Sequence, residues 1–113
     1  INREPIAGTI EEIRYNPGKF LAAFNPKASM DNEQNIILIN NGKTHIFVKQ
    51  IAGLIARRIV CWPKKGDYYE SGQRYGLIRF GSRVDILLPE TAKLSVACGD
   101  RVSGGKSIIG YLT

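Results

Sequence analysis

Histidine is the scarcest chemically useful residue in this chain of 113 residues: there is one, His45. A hydrolytic triad needs a nucleophile, an imidazole base and an acid that orients the base. His45 follows an Asn-Gly turn in the strand-like run Thr44-His45-Ile46-Phe47 and reads as a partly exposed strand residue, with nothing tying it to a nucleophile. Cysteine is nearly as scarce. Cys61 and Cys98 lie 37 positions apart and form no CxxC pair, so neither a zinc site nor a redox motif is supported and no metal is expected. Each sits in an apolar stretch and reads as a small buried thiol rather than half of a disulfide. Long hydrophobic runs are missing too. The longest, Ile51 to Ala56, is broken by Gly53 and closed by Arg57 and Arg58, well short of the about 18 residues a membrane-spanning helix requires. Gly104-Gly105-Lys106-Ser107 matches only the tail of a phosphate-binding loop, since the upstream glycine of that pattern is absent.

What is present is an ordinary globular composition, 43% hydrophobic and 23% charged, at a length that suits one domain over 1–113. Net charge is +6, unevenly spread. Residues 1–81 carry 12 basic and 7 acidic side chains, and residues 82–113 carry 4 and 3. A basic balance admits an anionic partner, either nucleic acid or an acidic membrane surface. No run of cations exceeds two, and the aromatics form no RNA-binding signature, so nucleic acid is not the expected partner. The chain opens on Ile1 rather than Met and reads as a processed product or a piece of a longer protein.

The pattern of the chain is mostly β. Strands are expected over Gly8 to Tyr15, Gln34 to Ile39, Thr44 to Gln50, Arg58 to Trp62, Tyr75 to Phe80, Val84 to Leu88, Leu94 to Cys98 and Ser107 to Leu112. Asn16-Pro17-Gly18 reads as a turn. Asn40-Asn41-Gly42 closes a hairpin, because Asn-Gly supplies the positive φ a tight turn needs. One irregular loop or short helix is expected near 19–33: Lys19 to Phe24 could make a helical turn, Pro26 ends it, and the polar stretch up to Glu33 has the length of a functional loop.

Two segments echo each other. Gly66-Asp67-Tyr-Tyr-Glu-Ser-Gly72 and Gly99-Asp100-Arg-Val-Ser-Gly-Gly105 share Gly-Asp-x-x-x-x-Gly at an offset of 33. Such a turn lets a strand reverse and cross back over a sheet. The echo, with Pro5-Ile-Ala-Gly-Thr-Ile10 as an opening strand, resembles biotinyl and lipoyl carrier domains. That resemblance implies an all-β barrel-sandwich hybrid. A working carrier would present a lysine in a Met-Lys-Met-like hairpin, whereas Met30 stands between Ser29 and Asp31, so carrier activity is not expected.

The chemistry is carried by Gly81-Ser82, set between two strand-like runs in Tyr75-Gly-Leu-Ile-Arg-Phe-Gly-Ser-Arg-Val-Asp-Ile-Leu-Leu-Pro89. A serine hydroxyl can attack the carbonyl of its own preceding residue where that residue, lacking a Cβ, tolerates strained dihedrals. The amide becomes an ester. Loss of the serine α-proton then eliminates the ester and breaks the chain, and the dehydroalanine left behind hydrolyses to a pyruvoyl group with release of ammonia. The product is an electrophilic ketone that can take an amine as a Schiff base.

The string around Ser82, together with Tyr15-Asn-Pro-Gly-Lys-Phe-Leu-Ala-Ala-Phe-Asn-Pro-Lys-Ala-Ser29 and Gln50-Ile-Ala-Gly-Leu-Ile-Ala-Arg-Arg-Ile-Val-Cys-Trp62, resembles the compact prokaryotic type of phosphatidylserine decarboxylase proenzyme, a group with archaetidylserine-decarboxylating relatives. The resemblance covers nearly the whole chain. It implies cleavage between Gly81 and Ser82, a β chain containing 1–81, an α chain of 82–113, and a pyruvoyl cofactor made from Ser82. It further implies an anionic serine phospholipid as substrate and a peripheral place at the cytoplasmic side of the cell membrane, and it leaves a homo-oligomer open. The family also uses an upstream aspartate and histidine. The histidine motif falls before the segment matching Ile1-Asn-Arg-Glu-Pro5, and His45 matches neither position. The expectation is therefore an N-terminally truncated form that stays uncleaved and inactive by itself. The competing expectation is a non-catalytic carrier-like β-domain that binds a partner or an anionic surface. Arg57, Arg58, Arg79 and Arg83 are candidates for phosphate or carboxylate contacts by charge and position.

Overall fold

Residues that alternate between apolar and polar form the central sheet of this computed structural model, which describes residues 1–18, 32–53, 59–78 and 82–112. The strands are β1 (Asn2–Arg3), β2 (Gly8–Asn16), β3 (Gln34–Asn40), β4 (His45–Ile51), β5 (Ile59–Cys61), β6 (Tyr68–Tyr69), β7 (Arg74–Ile78), β8 (Arg83–Leu87), β9 (Lys93–Leu94) and β10 (Gly110–Tyr111). Five of them make an antiparallel sheet in the order β6-β2-β3-β4-β8. A second sheet has the order β1-β7-β5, and β9 pairs with β10. No helix occurs among the described residues, so the expected all-β class holds. The helical turn foreseen at 19–24 lies outside the described residues.

The period-2 alternation decides what is buried. Across β2, β3, β4 and β8 the register lines up Ile13, Ile37, Val48 and Ile86. Ile10, Ile37, Ile39, Ile46 and Val48 from this face meet Tyr75 of the second sheet, with Leu88 and Leu112 packed alongside. Burying each such aliphatic side chain contributes about 1.5–3 kcal/mol. The opposite face of the sheet carries Leu38, Phe47 and Leu87 in one row, with Phe47 and Leu87 exposed.

A buried amide bridges the two sheets. Gln50 is fully buried. Its Nε2 donates to Asn2 Oδ1 at 2.8 Å and to the Val60 carbonyl at 3.1 Å, while its Oε1 accepts from Asn35 Nδ2 at 3.3 Å. This close crossing needs Gly76. A Cβ there would sit 2.1 Å from the Val60 oxygen and 2.9 Å from Gln50 Nε2.

The Gly-Asp echo is one turn built twice. In the first copy Asp67 N donates to the Lys64 carbonyl and Asp67 Oδ2 accepts from Lys64 N. In the second, Asp100 N donates to the Ala97 carbonyl and Asp100 Oδ2 accepts from Ala97 N. Gly66, Gly72, Gly99 and Gly105 all have positive φ, between 75° and 94°. Arg3 joins the two copies: its NH1 donates to the Gly72 carbonyl at 2.9 Å, and its stem lies against Gly105.

Several expected elements change. The strand expected over Leu94 to Cys98 shrinks to Lys93–Leu94, because the Asp100 carboxylate captures the Ala97 N–H that a ladder would use. Cys98 is consequently exposed instead of buried, while Cys61 is half-buried, and both are free. The two-residue strands β1 and β6 were not expected at all. The hairpin forms as expected around Gly42, with Asn41 N donating to the Thr44 carbonyl and the Asn41 side chain accepting from Lys43 N and Thr44 N.

Candidate functional site

Ser82 lies one residue ahead of β8 and is half-buried. Gly81, its partner in the sequence reading, lies outside the described residues, as do Arg57, Arg58 and Arg79. Among the described residues β8 is an edge strand, paired with β4 from Phe47↔Leu87 to Ile51↔Arg83. Ile86 packs on the core face of this strand, and continued alternation places Val84, which is exposed, and Ser82 on the same side. Arg83 falls on the opposite face, where its Nε stands 2.9 Å from Asp85 Oδ1 and its NH2 donates to Asp85 Oδ2 at 3.3 Å. The guanidinium suggested by sequence for an anionic head group is thus engaged by its own strand and directed away from Ser82.

The neighbours of Ser82 follow from the register. Gln34, Ile51 and Arg83 form one row across β3, β4 and β8. The β3–β4 pairing continues one step further, because Ala52 N donates to the Glu33 carbonyl at 2.9 Å. The next row is therefore Glu33, Ala52 and Ser82. Asn32 Nδ2 fixes this end by donating to the Ala52 carbonyl at 2.7 Å. Glu33 is 7% exposed; its Oε2 accepts the Tyr15 hydroxyl, and its Oε1 has no hydrogen-bond partner among the described residues. That hydrogen bond, with burial and the nearby charge as lesser causes, raises the Tyr15 pKa, so the phenol remains a donor. One row inward lie the buried amides of Asn35 and Gln50.

His45 is at the other end of the molecule. It begins β4, six residues before Ile51, which at strand rise is about 20 Å from the Ser82 end. Its Nε2 is 3.0 Å from Glu11 Oε2. The sequence reading, in which nothing ties His45 to Ser82, agrees with this placement.

A second buried acid stands apart from this row. Glu4 is 2% exposed, and neither carboxyl oxygen has a hydrogen-bond partner among the described residues. Burial pushes its pKa up to about 7. The Tyr75 phenol nearby is also raised by burial, and the Cys61 thiol is pushed up to about 11 by burial. Sequence reasoning missed Glu4, Glu33, Asn35 and Gln50. The available signal was polar residues at positions where the alternation demands apolar ones.

Ser82 lines neither of two grooves on the surface formed by the described residues. One, on the open face, is bordered by Glu12, Arg14, Phe47, Lys49 and Leu87; the other, at the far end of β8, is bordered by Ile46, Ile86, Leu88, Ile108 and Tyr111. No group of three or more acidic, histidine or cysteine side chains suited to a metal occurs among the described residues.

Comparison with known proteins shows the family of the chain. Residues 1–110 match the family model described as phosphatidylserine decarboxylase. The chain is 49% identical over 113 residues to the phosphatidylserine decarboxylase proenzyme of Geotalea uraniireducens, covering 99% of this chain and 53% of that protein. It is 50% identical over 113 residues to the proenzyme of Desulfotalea psychrophila, with coverage of 99% and 53%, and 50% identical over 109 residues to that of Solibacter usitatus, with coverage of 96% and 53%. The chain thus spans about half the length of the curated relatives it matches. No solved structure matches it. The chain belongs to the phosphatidylserine decarboxylase family.

Proposed function

We propose that the whole protein decarboxylates phosphatidylserine to phosphatidylethanolamine after cutting itself between Gly81 and Ser82. Ser82 is the precursor of the pyruvoyl group, residues 1–81 belong to the larger chain, and residues 82–113 form the smaller one. The observation that carries this reading is the position of Ser82 at the head of a strand already laddered into the main sheet. Cleavage there would leave β8 held by β4, with Ile86, Leu88 and Leu112 held by the core, so the new terminus would keep its place.

The surroundings fit a pyruvoyl group. Between Ser82 and Glu33 the row carries the fully buried Ala52, and Glu33 Oε1 is an acceptor with no hydrogen-bond partner among the described residues. The pyruvoyl group, once formed, supplies the electron sink for loss of CO₂ from the bound amine. The chain's own residues hold it: β4 and β8 fix its backbone, and Asn32 pins Ala52 beside it.

An anionic serine phospholipid at the cytoplasmic face of a membrane is the substrate in this reading, with peripheral attachment. The excess of basic side chains on residues 1–81 supports an acidic surface. We also propose that the 113 residues alone stay uncut, since His45 is bound to Glu11 about 20 Å away and cannot serve Ser82. The test is Ser82→Ala in the full-length protein. It should abolish both splitting and CO₂ release; a non-catalytic carrier-like domain would lose neither.

A further inference from the structure

We infer that the groove between the end of β8 and β10 is an acyl-chain site, which takes one hydrocarbon chain of the serine phospholipid whose amine reaches residue 82. This rests on the Ser82 reading above.

The groove has a volume of about 600 Å³, within the size range of small-molecule sites. Ile46, Ile86, Leu88, Ile108 and Leu112 line it, and Lys43 is the one charged side chain among its described lining residues. Ile86 and Leu88 share a side with Ser82, because the alternation that turns Ile86 inward carries Leu88, Val84 and Ser82 with it. Val84, between Ser82 and the groove, is 38% exposed, so this side of the strand is open along the way. The groove on the other face of the sheet lacks this connection. Leu87 alternates away from Ser82, and Glu12 lies at that groove's border.

The distances suit a phospholipid. Four residues of strand separate Ser82 from Ile86, about 13 Å. About nine bonds separate the serine nitrogen of a diacyl phospholipid from its nearer acyl carbonyl, a reach of about 11 Å at the rise of an extended chain. An amine at residue 82 therefore puts the phosphodiester beside Val84 and the first methylenes at Ile86, where the groove begins. Ile108 and Tyr111 are each 59% exposed, so the groove is open along that border, and a chain longer than the groove leaves past them. Lys43 adds positive charge to the lining, which favours an acidic lipid surface.

The test uses the full-length, self-cleaved protein and water-soluble ethanolamine phospholipids, the proposed products, which bind without losing CO₂. Their acyl chains vary from about two to six carbons, the span over which burial in the groove should grow. Intact mass first reports whether the chain has split, and calorimetry of the monomeric lipids then gives the affinity. For the wild type the affinity should rise about fourfold per added methylene. Ile108→Glu places a carboxylate at an exposed position on the groove's border. It should weaken binding of the longest-chain lipid about tenfold and leave the shortest unchanged. A wild-type affinity that is flat with chain length overturns the inference, and so does an Ile108→Glu protein that binds the longest-chain lipid like the wild type; both leave the Ser82 reading intact. An Ile108→Glu protein that fails to fold, or loses stability or changes oligomeric mass without lipid, shows the groove filled by protein and also overturns it. A wild type that never splits sinks the Ser82 reading itself.

Discussion

Glu4 shows how one buried side chain sets a pH response. Its folded pKa, about 7, exceeds the ordinary 4.5, and burial is the cause. The unfolded chain therefore gives up this proton first as pH rises. The contribution is complete below pH 4.5 and is lost as pH climbs through about 7. The whole loss is about 3 kcal/mol. Glu4→Gln keeps the shape and removes the titration. In urea unfolding at pH 4 and pH 8, the wild type should lose about 3 kcal/mol more than Glu4→Gln. Equal losses would show that Glu4 ionises freely in the folded protein. The two thiols make a separate contrast. Cys61, raised to about 11 by burial, should resist iodoacetamide at pH 7.5, while the exposed Cys98 reacts. Peptide mapping after brief labelling distinguishes them, and prior modification of Cys61 would contradict the burial.

At the scale of elements, the alternating segments were legible. Gln34 to Ile39 and Thr44 to Gln50 read as a hairpin because the period-2 pattern and Asn-Gly agree, and the strands form within one residue of those limits. The repeated Gly-Asp turn was legible for a different reason: its Asp carboxylate and positive-φ glycines are purely local requirements. β1 and β6 were not legible, since two residues carry no period. β9 was over-extended because its apolar composition hides the Asp100 side chain that ends it. The crossing of the two sheets was also hidden. Gly76 looks like an ordinary strand glycine until Gln50 and Val60 are placed over it. Gly76→Ala would push a methyl into the Val60 carbonyl, and it should cost about 3 kcal/mol. The shift in urea midpoint measures this; a loss under 1 kcal/mol would mean that the sheets separate easily.

At the scale of the whole molecule, the site divides into what the chain spells out and what only folding assembles. Gly81-Ser82 was found in the sequence through its resemblance to a family of proenzymes, to which the chain belongs. Glu33 was not found, because its relation to Ser82 exists only through the register of three strands contributed by distant segments. If the chain is cut at Gly81-Ser82 as proposed, β8 would fall in the small chain and β4 in the large one, and the ladder they share would keep the two together. The central claim is that the Gly81-Ser82 bond is a seam. Intact mass of the full-length protein, under native and denaturing conditions, tests it most directly. The account predicts one native complex that denatures into two chains, the larger ending at Gly81 and the smaller beginning with a pyruvoyl group, with Ser82→Ala remaining a single chain. An intact wild-type polypeptide carrying an unmodified Ser82, in a preparation that releases CO₂ from phosphatidylserine, would contradict it.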